Sequence, residues 1–367
     1  MKTSQIIGIA GAVVGVTTAG LTVAGVLQSR RKATTAREND PYQDEPLGLL
    51  EPDRTRTVAA DDGVPLSVEE IDPADGGKSE LTVVLVHGLA LSRRCFHFQR
   101  RDIAGLARPR VRQVLYDQRG HGRSGLPPAQ SCTIEQLGRD LDVVLRSVAP
   151  DGPLVLVGHS MGGMAIMALA EQRPDLFADR VRGVALIATS AGEVGSNGLP
   201  RPLLSRYNPL TRTVGEMASW QPELVDWIRT AGGGVTRQAV RRLAFGQYSV
   251  PASLVDFMVR MLSVTPVPVL TDFVPTLGTH NRYAALAGLR HCETLVISGD
   301  RDRITPFSHS RRIAAELPDA ALLRVFGAGH MVMLEQQELV TDELVRFVRR
   351  CATRTRGLRR RWRRGAG

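Results

Sequence analysis

The chain has 367 residues, 43% of them hydrophobic, which is enough to build a sizeable buried core. Its net charge of +10 would indicate a polyanionic partner if the charge were spread over the chain. Residues 346–364, however, contain ten arginines and no acid, so the rest of the chain is neutral overall. This argues against a nucleic-acid partner for the body of the protein. Four scattered cysteines exclude a disulfide framework; they are Cys95, Cys132, Cys292 and Cys351.

Residues 6–27 form an uncharged apolar run that, as a helix, would span roughly 33 Å. A basic cluster from Arg30 to Arg37 follows it. We predict an uncleaved transmembrane anchor within residues 1–32, with a signal peptide or a soluble apolar tail as alternatives. The basic cluster favours a single-pass protein of the cell membrane with its body on the cytoplasmic side.

Two further features concern the ends of the chain. Gly11 and Gly15 make a GxxxG motif within the apolar run, which leaves a homodimer open. The arginine-rich tail, residues 353–367, is expected to contact anionic lipid, and RNA is the alternative ligand. Residues 33–55 are polar and contain three prolines, which predicts a linker.

The body alternates short apolar runs with helical patterns. Residues 56–71 predict a hairpin with Asp62-Gly63 at its turn. Continuous Val/Leu/Ile runs are typical of parallel strands buried on both faces; they occupy 81–88, 112–117, 153–160, 181–190, 294–300 and 321–326. Helical patterns lie between them at 133–149, 161–172, 307–317 and 334–350. The fold class predicted is α/β, with a doubly wound, mostly parallel sheet.

One interval interrupts this alternation. Residues 191–290 separate two predicted strands by far more than an ordinary connection. We predict a helical cap inserted between late strands, with residues 56–190 and 291–352 forming the core. Its large apolar residues are expected to form the cap's own core; they are Trp220, Trp227, Phe245, Tyr248, Phe257, Met258, Met261 and Phe273.

The sequence Gly158-His159-Ser160-Met161-Gly162 is a G-x-S-x-G motif. It follows the strand pattern PLVLV and precedes the helical pattern MGGMAIMALA, which is the context that a nucleophile elbow needs. A sharp turn there exposes the serine hydroxyl at a helix N-terminus, where developing negative charge is stabilised. Ser160 is therefore the candidate nucleophile.

From about residue 55 to residue 352, the chain resembles the α/β-hydrolase superfamily. The motifs that carry this resemblance are HGLA at 87–90, DQRGHGRSG at 117–125, GHSMGG at 158–163, GDRDRITP at 299–306 and GAGH at 327–330. The resemblance implies that His330 is the general base and that Asp302, in the pattern G-x-x-D-x-x-x-P, orients it. It also implies an oxyanion hole made by the backbone N–H groups of Leu89 and Met161.

A serine nucleophile indicates acyl transfer, and the leading hypothesis is hydrolysis of a small-molecule or lipid-like carboxylic ester through an acyl-enzyme on Ser160. An acyltransferase or cofactor-free perhydrolase-like enzyme on the same triad, and a C–C bond hydrolase, are alternatives within enzymes. A membrane-tethered scaffold is the non-enzymatic alternative. We expect neither a cofactor nor a metal.

Overall fold

A computed structural model of the chain describes residues 40–194, 233–247 and 249–353. The chain divides into two compact units, residues 1–44 and residues 45–367. In the first unit, the described residues 40–44 form a turn, in which Gln43 N–H donates to the carbonyl of Asp40. The elements below all lie in the second unit.

An eight-stranded sheet lies at the centre of the second unit. Its strands are β1 (Arg54–Ala59), β2 (Pro65–Ile71), β3 (Leu81–Val86), β4 (Val111–Tyr116), β5 (Leu154–His159), β6 (Val181–Ile187), β7 (Glu293–Gly299) and β8 (Ala321–Val325). Their order across the sheet is β1-β2-β4-β3-β5-β6-β7-β8. β2 pairs antiparallel with β1 and β4, and all other neighbours are parallel. The predicted doubly wound, mostly parallel sheet is confirmed.

The predicted hairpin is the antiparallel pair β1 and β2, with Asp62-Gly63 at its turn. β1 begins at Arg54, two positions before the predicted hairpin. Leu47, within the predicted linker, is buried in the second unit. Most of residues 45–53 are exposed or half-buried, and the linker stays a prediction.

Helices connect the parallel strands. They are α1 (His97–Ala104), α2 (Ile134–Val148), α3 (Met161–Gln172), α4 (Pro174–Asp179), α5 (Gly233–Leu243), α6 (Ala252–Val264), α7 (Val267–Thr279), α8 (Leu286–Leu289), α9 (Phe307–Glu316), α10 (Val332–Glu335) and α11 (Gln337–Thr353). α2 begins where the sequence predicts, because the Thr133 hydroxyl caps it by accepting from Gln136 N–H over 3.1 Å. It ends before Pro150, which has no N–H with which to continue the helix.

Both faces of the sheet are covered. Every residue of β3 and β5 is buried, which explains why their sequences are continuous rather than alternating apolar runs. Val84 and Leu156 face a cluster that includes the apolar residues of α2 and α3. Gly183 faces the other side, where a Cβ on it would crowd Phe347 and Cys351 of α11.

The inserted interval contains α5, α6, α7 and α8 among its described residues. Phe257, Met258 and Met261 of α6 are buried, as is Phe245. Phe273 is also buried, but it belongs to the same apolar cluster as the sheet and lies 5.8 Å from the ring of His121. Phe273 is thus shared with the main core. Trp220, Trp227 and Tyr248 lie outside the described residues, and the domain boundary stays a prediction.

The predicted anchor, its GxxxG motif and residues 354–367 of the arginine-rich tail also lie outside the described residues. Within the described ranges, no single helix is both long and apolar enough to cross a bilayer. Only α6 and α7 taken together, with a 95° bend between them, meet that test of length and composition.

The contact of β6 with α11 can be tested by adding one methyl group. In Gly183→Ala the new Cβ has no room beside Phe347 and Cys351. We expect the free energy of unfolding to fall by about 1–3 kcal/mol because the close-packed layer must shift. Gly234→Ala in α5 is the matched control, since a Cβ there meets open space. Denaturant unfolding should show a loss for Gly183→Ala alone; equal stabilities would contradict the packing described.

Candidate active site

Ser160 lies at the junction of β5 and α3, where the G-x-S-x-G motif predicts it. Its backbone has φ 53° and ψ −120°, a left-handed conformation that is strained for a residue with a side chain. The neighbouring chain comes very close: a Cβ on Gly162 would collide with the carbonyl oxygen of Val86. This turn leaves Ser160 9% exposed at the carboxyl end of the parallel strands.

His330 and Asp302 converge on Ser160 from two other loops. His330 follows β8, and its Nε2 lies 3.0 Å from the Ser160 hydroxyl. Asp302 follows β7, and its Oδ2 lies 2.9 Å from His330 Nδ1. The distances fit the tautomer in which Nδ1–H donates to Asp302 while Nε2 accepts from Ser160. The three residues singled out from the sequence are therefore in mutual contact.

The Asp302 carboxylate is held on all sides. Burial opposes its ionisation, but the adjacent His330 and hydrogen bonds outweigh this and lower the pKa of Asp302. Its Oδ1 accepts from the backbone N–H groups of Ile304 and Thr305, over 2.8 and 2.9 Å. The Thr305 hydroxyl lies 2.9 Å from Oδ2. Asp302 is thus an oriented anion beneath the imidazole.

The turn after β3 borders the serine. A Cβ built on Gly88 would lie 2.9 Å from the Ser160 Cβ, so this backbone is adjacent to the hydroxyl. Ala90 N–H donates to His121 Nε2 over 3.1 Å, which holds the turn next to Leu89. Met161 is the first residue of α3, where N–H groups have no acceptor within the helix. The assignment of Leu89 and Met161 to an oxyanion hole stays a prediction.

Three buried histidines support these turns. His87 Nε2 accepts from Gln118 N–H over 2.9 Å, and His159 Nε2 lies 3.0 Å from the carbonyl of His330. Burial lowers the pKa of His87 to about 4 and the pKa values of His121 and His159 to about 3. All three rings are neutral near pH 7. They add hydrogen bonds around Ser160 without adding charge.

Two acids near the predicted site have other partners. Asp300 Oδ1 accepts from Gly327 N–H over 2.7 Å, so this carboxylate closes a turn rather than contacting His330. Asp117 accepts from the backbone N–H groups of Arg93 and Arg123, and it pairs with the Arg93 guanidinium. Asp117 therefore joins the turns that follow β3 and β4.

A second serine–histidine contact occurs at Ser190 and His309, where Oγ and Nδ1 lie 2.9 Å apart. Both side chains are buried, and the Ser190 hydroxyl also contacts the carbonyl of Gly192. This pair has no exposed hydroxyl to offer a substrate, so it is a packing contact.

Glu335, at the end of α10, has a place at the site that sequence reasoning did not find. Its Oε1 accepts from Gly329 N–H and its Oε2 from Gly246 N–H, each over 2.7 Å. Gly329 directly precedes His330, and Gly246 belongs to the inserted interval. Burial raises the pKa of Glu335 to about 7, although the two N–H donors oppose that shift. One carboxyl group thus joins the insertion to the loop of His330.

Metal ligation has no support in the residues described: they contain no group of three or more His, Cys, Asp or Glu side chains placed to hold an ion. All four cysteines are buried, and none of them forms a disulfide.

Comparisons with known proteins agree with this fold. Polyketide synthase ThaQ of Burkholderia thailandensis is 25% identical over 82% of this chain, although the chain spans only 13% of that protein's length. Esterase PIR7B of Oryza sativa subsp. japonica is 26% identical, with 72% of this chain and 94% of the esterase covered. The solved structure of a thermophilic esterase from Thermogutta terrifontis superposes with a TM-score of 0.63 at 22% identity, covering 82% of this chain and 99% of the esterase. That likeness concerns the fold alone.

The sequence profile of the Alpha/beta hydrolase family matches residues 83–343, most of the chain and all three residues of the candidate site. The relatives support an enzyme of the hydrolase class. The chain belongs to the Alpha/beta hydrolase family.

Proposed function

We propose that the protein hydrolyses carboxylic esters through an acyl-enzyme on Ser160, with His330 as general base and Asp302 as its orienting acid. The observation that carries the proposal is the chain of contacts from the Ser160 hydroxyl through both nitrogens of His330 to Asp302. An alcohol is a weak nucleophile near neutral pH, and a base within hydrogen-bond reach overcomes this. The esterase among the relatives supports the choice of ester over other acyl substrates.

In the first half-reaction, Ser160 Oγ attacks the ester carbonyl carbon and its proton passes to His330 Nε2. The anion of Asp302 stabilises the imidazolium that forms. The N–H groups of Leu89 and Met161 donate to the tetrahedral oxyanion. The carbon–oxygen bond to the alcohol then breaks, and Nε2 returns the proton to the departing oxygen.

In the second half-reaction, water takes the place of the alcohol. His330 Nε2 removes a proton from the water, whose oxygen attacks the acyl carbon. Collapse of this second tetrahedral species breaks the bond to Ser160 Oγ, which regains the proton. The products are a carboxylic acid and the free serine.

The nucleophile and base can be tested together. Ser160→Ala and His330→Ala should each lower kcat/KM for p-nitrophenyl esters on the order of 10⁴-fold, because the first lacks the nucleophile and the second lacks the base that activates it. A fluorophosphonate probe should label the wild type and spare Ser160→Ala. Circular dichroism should show the same fold in all three proteins. Labelling of Ser160→Ala, or near-normal turnover by either variant, would reject the assignment.

The acid can be tested by comparing two neighbouring aspartates. Asp302→Asn should lower kcat about 10⁴-fold, because an amide cannot hold the Nδ1–H tautomer as a carboxylate does. Asp300→Asn keeps an oxygen that accepts from Gly327 N–H, so its kcat should stay within about tenfold of the wild type. The reverse ranking would move the acid to Asp300.

Glu335 should act as a positioning residue. In Glu335→Gln, the amide oxygen can accept from one backbone N–H while the NH₂ group faces the other. The link between Gly246 and Gly329 then loses one of its two hydrogen bonds, and the loop of His330 is held less firmly. We therefore expect kcat to fall roughly 10- to 100-fold.

The pH dependence of stability gives an independent readout for Glu335. Its pKa in the folded protein, about 7, lies above the usual glutamate value of roughly 4.3. The proton-bound form therefore stabilises the fold below roughly pH 4.3, and this contribution disappears as the pH rises through 7. The Tm of the wild type minus the Tm of Glu335→Gln should therefore decrease as the pH rises from 5 to 8. A constant difference, with unchanged kcat, would remove Glu335 from this role.

A further inference from the structure

A cavity of about 610 Å³ lies apart from the candidate triad, between α6 and the turns that follow β3 and β4. The cavity lining does not include Ser160, Asp302 or His330. It also does not include Leu89 or Met161, the predicted oxyanion donors. Its volume is within the range of small-molecule sites, roughly 300–1,000 Å³.

Part of its wall is apolar. Phe257 and Met261 of α6 are buried there, and the buried Leu47 also lines the cavity. Leu49 and Val264 also line the cavity, although they are 63% and 60% exposed. Exposed apolar side chains beside a cavity are typical of a binding surface for a hydrophobic ligand.

Another part of the wall is positively charged, and the Arg260 guanidinium on α6 lies 5.9 Å from the centre of the Phe257 ring. Arg94, Arg123 and Arg260 line the cavity, and each is exposed. Within the described ranges, none of the three pairs with a carboxylate, whereas Arg93, Arg100 and Arg119 each do. Among the described lining residues, Asp117 is the only acid, and its carboxylate is already occupied by Arg93 and by backbone N–H groups. Three guanidinium groups at the cavity therefore have no carboxylate partner among the described residues.

We propose that this cavity binds a single-chain amphiphile with an anionic head, such as an alkyl carboxylate or an alkyl phosphate. The apolar wall of α6 takes the alkyl chain, which leaves water. The planar guanidinium groups of Arg94, Arg123 and Arg260 donate paired hydrogen bonds to the oxygens of the head group. A neutral alcohol of the same length lacks the charge, and inorganic phosphate lacks the chain.

The test is titration calorimetry of the full chain with dodecyl phosphate, kept below the concentration at which it forms micelles. Ser160→Ala is the background, so that no covalent event at the triad contributes heat. In this background, the double variant Arg123→Gln with Arg260→Gln should raise the Kd for dodecyl phosphate tenfold or more. Arg311→Gln with Arg349→Gln is the matched control, because it removes the same charge from exposed positions on α9 and α11. The control should leave the Kd within twofold.

A second variant tests the apolar wall. Val264→Asp places a carboxylate at the exposed rim, where it disturbs little packing, and should also weaken the Kd. Hydrogen exchange should slow in α6 when dodecyl phosphate binds. An equal loss of dodecyl phosphate affinity in the Arg123/Arg260 double variant and in its control would overturn the proposal. Equally tight binding of dodecanol or of inorganic phosphate would also overturn it.

The source of the ligand is separated by vesicle flotation. Suppose that the double variant Arg123→Gln with Arg260→Gln binds dodecyl phosphate less tightly. If it also floats less with anionic vesicles, relative to phosphatidylcholine vesicles, the ligand is a bilayer lipid. If flotation is unchanged, the ligand is a free amphiphile, and either result supports the site. Ester turnover by the arginine pair with Ser160 intact should remain within about twofold, so failure of this site is distinguishable from failure of the proposed hydrolysis.

Discussion

The backbone strain at Ser160 is the constraint around which the site is arranged. A left-handed conformation at a residue with a side chain costs on the order of 1–3 kcal/mol, and it persists only where the surroundings over-determine it. Here Ser160 N–H donates to the carbonyl of Ile187, and the hydroxyl of Thr189 donates to the Ser160 carbonyl over 2.7 Å. The last residue of β6 and Thr189, just after that strand, thus hold both backbone groups of the serine. The Ser160 backbone cannot relax out of this conformation without breaking these bonds.

The position of the imidazole depends on the insertion as well as on the sheet. Asp302 holds His330 Nδ1, while the neutral ring of His159 lies against the His330 carbonyl. From the inserted interval, the carbonyl of Ala244 accepts from Met331 N–H over 2.9 Å, and Glu335 links Gly246 to Gly329. Met331 is therefore bonded directly, and Gly329 through Glu335, to the segment that follows α5. The insertion thus helps to hold the loop that carries His330.

The G-x-S-x-G motif identified Ser160 as a candidate, and the family resemblance supplied Asp302 and His330. Parallel strands end at one edge of a sheet, so the loops after β5, β7 and β8 can bring these three residues together. Each also carries a local motif. Glu335 was missed because its partners, Gly246 and Gly329, are glycine N–H groups that leave no mark in the sequence. Phe273 was assigned to a separate cap core because helical spacing reports which face is apolar, but not which neighbour it meets. For the same reason, the sequence alone does not show how the helices of the insertion pack.

The turn after β4 takes part in both the triad's surroundings and the cavity. His121 accepts from Ala90 N–H beside the predicted oxyanion hole, and Arg123, two positions later, lines the cavity. Between them the backbone is closed by two hydrogen bonds, from Ser124 N–H to the His121 carbonyl and from Arg123 N–H to Asp117. These two hydrogen bonds fix the position of Arg123 relative to His121. A ligand at the cavity could alter the chemistry at Ser160 only by binding two states of this turn with different affinity, and any such coupling would be reciprocal.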